Sequence, residues 1–386
     1  MKDTDEAYRG FEQGPIRPPS EAGSLLLRVT RNCPWNRCSF CPVYKGAKFS
    51  VRPVSHIKRD IDCVQKYVEI LQQTAEAPKR GVQAIRREAI PEAAKDEKIA
   101  LRAAAHWLYN GSRRSVFLQD ADALVMKPAG LAEVLTHLRT RFPWLERVTC
   151  YSRSRTIAAR KDADLKALAN AGLNRIHVGL ESGSNEVLKR VAKGVTRDIH
   201  ITAGLKVKAA GMELSEYVMP GLGGQALSQT HALETADALN RINPDFIRLR
   251  TLAIPADVPL ADEFNAGRFD RCTDSIVAQE LLTFIEHLAG ITSVIKSDHI
   301  LNLFGDLEGT LPEDRARMCE MVRAFLAMPA EHQRVYQVGR RLGLFHCVGD
   351  MQDSRALTEA ERMCRDLGIT ADNVDQITNE LMARYL

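Results

Sequence analysis

Residues 24–42 read SLLLRVTRNCPWNRCSFCP. An apolar run of strand length leads straight into a loop that places three cysteines, Cys33, Cys38 and Cys41, within nine residues. A strand that delivers chemistry-bearing residues into the loop after it is the layout of barrel enzymes, whose sites lie at the C-terminal ends of the strands. Three soft thiolate ligands suit zinc or an iron–sulfur cluster. Structural zinc sites draw their remaining ligand from a second short-spaced pair, and no C-x2-C or H-x3-H occurs later in the sequence. A cubane cluster held by three cysteines leaves one iron open to a chelating ligand. The six other cysteines, at 63, 150, 272, 319, 347 and 364, are isolated and read as small buried hydrophobes.

Beyond the loop, apolar or alternating runs recur near 115–119, 147–153, 175–181, 213–219 and 246–251. Patterns of helical period lie near 54–77, 128–140, 162–171, 184–211 (interrupted at Gly194) and 228–241. With the strand at 25–30 this makes six repeats, and the alternation implies a parallel sheet with helical crossovers. The expected fold is α/β, an open (β/α)6 partial TIM-type barrel with a mainly helical C-terminal region. Residues 1–23, rich in Gly and Pro, read as an N-terminal surface arm. Residues 24–255 form the barrel, with a helical insertion at about 79–111. Residues 256–386 show helices and loops without evident strands, a candidate lid or substrate region.

The 386 residues carry 53 basic and 49 acidic side chains, a net charge of +4, with 45% hydrophobic residues. That is an ordinary globular composition. The small basic excess gives no footprint for a nucleic acid, which is not expected as a partner. The polar N-terminus is no signal peptide, and no run approaches the roughly 18 apolar residues of a membrane span, so no membrane partner is expected either. A cytoplasmic setting, which keeps thiols reduced, follows.

The cysteine loop resembles the first-strand C-x3-C-x2-C loop of the radical S-adenosylmethionine (SAM) superfamily, with Phe40 in the place of the aromatic before the last cysteine. Here the spacing is C-x4-C-x2-C, one residue longer. Residues 172–196, GLNRIHVGLESGSNEVLKRVAKGVT, are similar to the fourth barrel strand and helix of the coproporphyrinogen-oxidase-like, methylthiotransferase-like and cobalamin-linked groups of that superfamily. EYVMPGLGGQ resembles the Gly-rich turn after their fifth strand. The resemblance covers about residues 24–255 and implies an oxidoreductase with a 4Fe-4S cluster on Cys33, Cys38 and Cys41 and SAM on the open iron. It implies a low-potential electron donor, flavodoxin or ferredoxin, and a 5′-deoxyadenosyl radical that takes hydrogen from a substrate. For the cofactor it points to Phe40, to Asp120 for the SAM ammonium, to Arg153 for the carboxylate, to Glu181 and Ser182 for ribose and amino acid, and to Gly221 and Gly223 for close backbone approach.

The strands also alternate. Arg175, His177 and Glu181 share one face, Arg248 and Arg250 another, and Tyr151 and Arg153 a third. So polar an interior calls for a charged ligand, internal ion pairing being the competing reading. Tyr151, His177, Arg248 and Arg250 are therefore substrate candidates, and the expected substrate is a small anionic molecule. Asp298, His299 and Asn302 precede a Gly-rich turn and read either as a lid with a proton donor or as capping residues. No catalytic acid or base is assigned. Two other functions stay open: a non-catalytic ligand-binding protein like a haem chaperone, and transfer of an aminocarboxypropyl group from SAM.

Overall fold

The computed structural model describes residues 7–75, 97–109, 111 and 114–383. Ten strands are seen: β1 (Leu25–Arg28), β2 (Thr30–Arg31), β3 (Ser50–Val51), β4 (Ser115–Gln119), β5 (Arg147–Tyr151), β6 (Arg175–Glu181), β7 (Glu213–Val218), β8 (Phe246–Leu249), β9 (Val294–Lys296) and β10 (Gly309–Thr310). The helices among the described residues begin with α1 (Val54–Ala75), α2 (Lys98–Tyr109), α3 (Pro128–Arg141), α4 (Ser154–Ala159), α5 (Asp162–Asn170), α6 (Asn185–Arg190) and α7 (Arg197–Ala209). They continue with α8 (Gly224–Ile242), α9 (Pro259–Asn265), α10 (Asp274–His287), α11 (Arg315–Leu326), α12 (Ala330–Arg341), α13 (Ser354–Asp366) and α14 (Val374–Ala383). The fold class is α/β, parallel strands joined by helical crossovers.

The chain divides into two compact units. The first holds residues 1–34, 43–177 and 206–213, the second residues 35–42, 178–205 and 214–386, so the division falls within β6. In the first unit the hydrogen-bonded order is β1-β4-β5-β6, all parallel, with Leu27 opposite Leu118 and Cys150 opposite Ile176. These strands are apolar almost throughout because both faces are covered: Leu25, Leu27, Val116, Phe117, Leu118, Val148 and Ile176 are all within 1% of complete burial. In the second unit the order is β6-β7-β8-β9-β10.

One expectation is corrected: residues 256–386 do contain strands. β9 pairs parallel with β8, and β10 pairs antiparallel with β9. At three and two residues they are too short to show any alternation. The residues after 255 belong to the same compact unit as β7 and β8. The described part of the N-terminal segment makes fixed contacts. Phe11 is 4% exposed, Tyr8 donates to Asp60 at 2.7 Å, Gly14 N–H donates to the Gln119 side chain at 2.9 Å, and Glu12 pairs with Arg31 at 2.7 Å. Single polar contacts hold this segment, and such contacts leave no periodicity to read. Of the expected insertion at 79–111, residues 98–109 form α2, and 79–96 lie outside the described residues.

Candidate active site

In the second unit the cysteine loop contributes residues 35–42. Phe40 is buried in an apolar cluster with Val187 and Val191 of the α6 region, Met219, Leu222, Leu252 and Phe269, and Cys38 and Cys41 pack against that cluster. Backbone bonds fix the segment: Ser39 N–H donates to Val191 O at 3.0 Å, and Ser39 O accepts from Leu260 N–H at 3.0 Å. The residues that lengthen the first cysteine interval include Trp35. Its indole N–H donates to Ala192 O at 2.8 Å, and its ring lies against Gly194, where a Cβ would collide with it. Gly194 also has φ +73°, so glycine is demanded twice over. The lengthened loop thus docks on the Lys193-Gly194 turn of the second motif.

Beside that turn, Lys193 Nζ donates to Glu181 at 3.0 Å and lies 5.8 Å from the centre of the Phe40 ring. Glu181 itself sits at φ +62°, a left-handed conformation that costs about 1–2 kcal/mol outside glycine and bends the chain sharply at the end of β6. Ser182 and Gly183 then seat on α8. Ser182 Oγ meets His231 Nδ1 at 2.8 Å, His231 Nε2 donates to Met219 O at 3.1 Å, and Gly183 N–H donates to Thr235 Oγ1 at 2.9 Å. Ser182 is fully buried in this arrangement. It shapes the loop, while Glu181 keeps partial exposure. The glycine turn is held from α10: Glu280 accepts from Gly221 N–H at 2.7 Å and from Ser228 Oγ at 2.6 Å.

In the first unit the start of the loop is pinned by Asp120. This carboxylate is fully buried and accepts from Arg28 Nε at 2.7 Å, from the backbone N–H of Asn32 at 3.0 Å and from Tyr44 at 3.2 Å. Asn32, immediately before Cys33, takes φ +68°. With three donors and no exposed surface, Asp120 positions the cysteine loop. Arg153 precedes α4, and its charge and backbone N–H act on Asp122, a buried carboxyl that also accepts from Ser152 at 2.7 Å and Thr156 at 2.5 Å. Burial outweighs these bonds and pushes Asp122 up to about 6.

The substrate candidates fare unequally. Tyr151 lies edge-on to Phe117 and His177. His177 is fully buried and meets Glu21 at 3.3 Å; although burial works against the Glu21 carboxylate, its bonds from His177 and Ser24 prevail and lower its pKa. His177 thereby anchors the N-terminal segment. Arg248 is 4% exposed, pairs with Asp298 and donates to Ser215 at 3.2 Å, so its charge is neutralised internally. Arg250 has no such pairing among the described residues. A cavity of about 630 Å³ in the first unit, lined by Ser115, Arg147, Asn174 and Glu213, opens at the N-terminal ends of the strands, the end at which barrel folds carry no chemistry.

Glu216 on β7 escaped the sequence reading. It is fully buried, and neither carboxylate oxygen has a hydrogen-bond partner. Burial drives its pKa well above the ordinary carboxyl range; Glu181 raises it further and Lys193 opposes. The signal was present, since Glu216 shares a face of β7 with Leu214 and Val218 and stands opposite Ile247, a place for an apolar side chain.

Cys33, Cys38 and Cys41 are half-buried. Among the described residues no three His, Cys, Asp or Glu side chains already converge as on a metal ion. The donor set itself, three cysteine side chains on one loop with no carboxylate or imidazole among them, fits an iron–sulfur cluster.

The chain matches the Radical SAM superfamily over residues 27–236, more than half its length, and belongs to that family. Members of that superfamily use a 4Fe-4S cluster and SAM. It is 28% identical over 209 residues to 4'-phospho-dehydrooxetanocin synthase of Priestia megaterium; the match takes in 50% of this chain and 22% of that protein. Among solved structures it is similar to coproporphyrinogen III oxidase from Escherichia coli (14% identity, 65% of this chain and 50% of that one, TM-score 0.42). It is also similar to the cobalamin-dependent S-adenosylmethionine radical enzyme OxsB (16% identity, 92% of this chain and 57% of that one, TM-score 0.42).

Proposed function

We propose that the chain binds a 4Fe-4S cluster through Cys33, Cys38 and Cys41 and cleaves SAM reductively to act on a small anionic substrate. When bound, the cluster and SAM together take one electron from a flavodoxin or ferredoxin and supply a 5′-deoxyadenosyl radical that abstracts a substrate hydrogen atom. The observation that carries the reading is the three-thiol loop after β1, its second half seated on the apolar cluster around Phe40. Cys38 and Cys41 pack against that cluster. Glu181, held by Lys193 and still partly exposed, is the residue for the polar groups of SAM, with Gly221 and Gly223 allowing close backbone approach. Asp120 and Ser182 serve the site by fixing loops. The curated relative's name describes a phosphorylated compound, which agrees with an anionic substrate. Among the described residues no helix is long and apolar enough to cross a membrane, and a cytoplasmic setting fits the reduced thiols.

The test is anaerobic reconstitution with SAM and dithionite, followed by mass spectrometry of the nucleoside. The expected product is 5′-deoxyadenosine, absent from the variant with all three cysteines changed to Ala, which should also lose its iron and sulfide. Methylthioadenosine would instead show aminocarboxypropyl transfer. SAM that is bound but never consumed would make the protein a ligand carrier.

A further inference from the structure

Arg250 directly follows β8, and His299 follows the parallel neighbour β9 by three residues, so both stand at the C-terminal ends of adjacent strands. The two loops are stitched together around Arg250. Asn302 donates to Leu249 O at 2.9 Å and to Ser297 Oγ at 3.0 Å, and its oxygen accepts from Thr251 N–H at 2.9 Å, so it grips the residues on either side of Arg250. Arg341 donates to Leu301 O at 2.6 Å while paired with Asp274, and Tyr336 donates to Leu303 O at 2.9 Å. The loop is therefore fixed before any ligand arrives.

Within it, His299 Nδ1 accepts from Leu301 N–H at 3.3 Å, which leaves the proton of the neutral ring on Nε2 as a donor. Burial and the adjacent Arg250 charge hold the ring pKa down to about 4, so the ring is neutral at physiological pH. The nearby acid, Asp298, is engaged by Arg248. The Arg250 guanidinium makes no hydrogen bond or ion pair with any described residue, and its only fixed bond is from its backbone N–H to Val218 O.

We infer that Arg250 and His299 form the site for an oxyanion of the substrate, a phosphate monoester or a carboxylate. The guanidinium supplies the charge and a planar pair of donors, the imidazole adds one N–H, and no carboxylate competes. This rests on the proposed action on an anionic small molecule and assigns that anion a place at the strand ends. It also separates the arginine within β8 from the one that follows it: Arg248 is structural, Arg250 meets ligand.

The experiment uses the reconstituted full chain without SAM or reductant, with histidine ring carbons labelled and followed by NMR. The His299 signal, identified by its loss in H299Q, should move saturably with inorganic phosphate or with acetate at constant ionic strength, and the tighter probe gives the class of anion. Arg250→Met should weaken that response about ten- to a hundred-fold, the loss expected for a charged hydrogen bond. Arg250→Lys, which keeps the charge and guards against misfolding, should retain part of it. A His299 signal that ignores both anions, or that responds equally in Arg250→Met, overturns the assignment. Cluster content, read from iron and sulfide in the same samples, tests the radical SAM proposal separately.

Discussion

Glu216→Gln isolates the cost of one buried acid. The wild-type carboxyl is fully buried, both its oxygens lack partners, and its pKa lies well above the ordinary value near 4.5, chiefly through burial and secondarily through Glu181. A carboxyl whose folded pKa is raised binds its proton more tightly in the folded chain than in the unfolded one. Its contribution is therefore most favourable below pH 4.5 and is lost as pH rises from there toward the folded pKa. Over that window the difference approaches one proton, worth about 1.4 kcal/mol per pH unit. Complete burial means that no discount for solvent screening applies. Gln keeps the shape and removes the titration, so stability of Glu216→Gln relative to wild type should climb with that slope from about pH 5 and level off at the folded pKa. Parallel denaturation series at half-unit pH steps measure it. Glu181→Gln in the wild-type background should bring the plateau to lower pH, and Lys193→Met should move it higher. A stability difference that stays flat between pH 5 and 8 would show that Glu216 is charged and paired in solution, and the reasoning would fail.

Asp120→Ala should destabilise the protein by about 3–5 kcal/mol, the usual penalty for orphaning one partner of a buried ion pair, and should lower iron content after reconstitution; Asp120→Asn should lose less of both. Thermal denaturation together with iron analysis reads the two effects. Gly194→Ala should cost at least about 1 kcal/mol for its positive φ alone and should expel the Trp35 ring, seen as a red shift of tryptophan fluorescence; an unchanged spectrum would mean that Trp35 does not dock there. Glu181→Ala should weaken SAM binding about ten- to a hundred-fold, measured by equilibrium dialysis, with iron content unchanged. Unaltered SAM affinity would reduce Glu181 to a partner of Lys193.

The parts of the fold that could be read from the sequence are those with a period. β4 and β6 fall at the expected residues, and β5, β7 and β8 start where expected and end one or two residues early, because runs such as SVFLQ and RIHVGLE carry their burial in the order of their letters. The break of the expected helix at Gly194 separates α6 from α7. What could not be read is what depends on a partner distant in sequence. The resemblance points Asp120 to the SAM ammonium, and nothing local shows that Arg28 and Asn32, about ninety residues earlier, bond to it. His177 and Arg248 were set apart as polar residues on buried strands, and their partners, Glu21 and Asp298, lie 156 and 50 residues away. Internal pairing had been weighed as the competing reading of those charges, and for these two it is the arrangement observed. Arg250 has the same alternation and the same residue type and differs only in lacking a partner, which no pattern in the chain can announce.

The C-terminal region joins the site by the same kind of contact. Its residues are expected from the sequence to lie against or over the barrel as a lid or substrate region, and the bonds within the second unit tie them into its framework. Glu280 of α10 reaches the glycine turn, Leu260 of α9 bonds the backbone between Cys38 and Cys41, and Phe269 completes the cluster around Phe40. Each of these groups acts on a residue of the two motifs, and none touches a place where a substrate has been assigned. Arg250 and His299 differ in direction: the loop that holds them is fixed by Asn302 and Arg341 from the same region, but their own donors are left unspent. One part of the C-terminal sequence thus maintains the cysteine loop and the glycine turn, while another presents charge at the strand ends. A change of substrate within this architecture would then alter residues near 299 and spare Glu280 and Leu260, whose partners lie in the glycine turn and the cysteine loop.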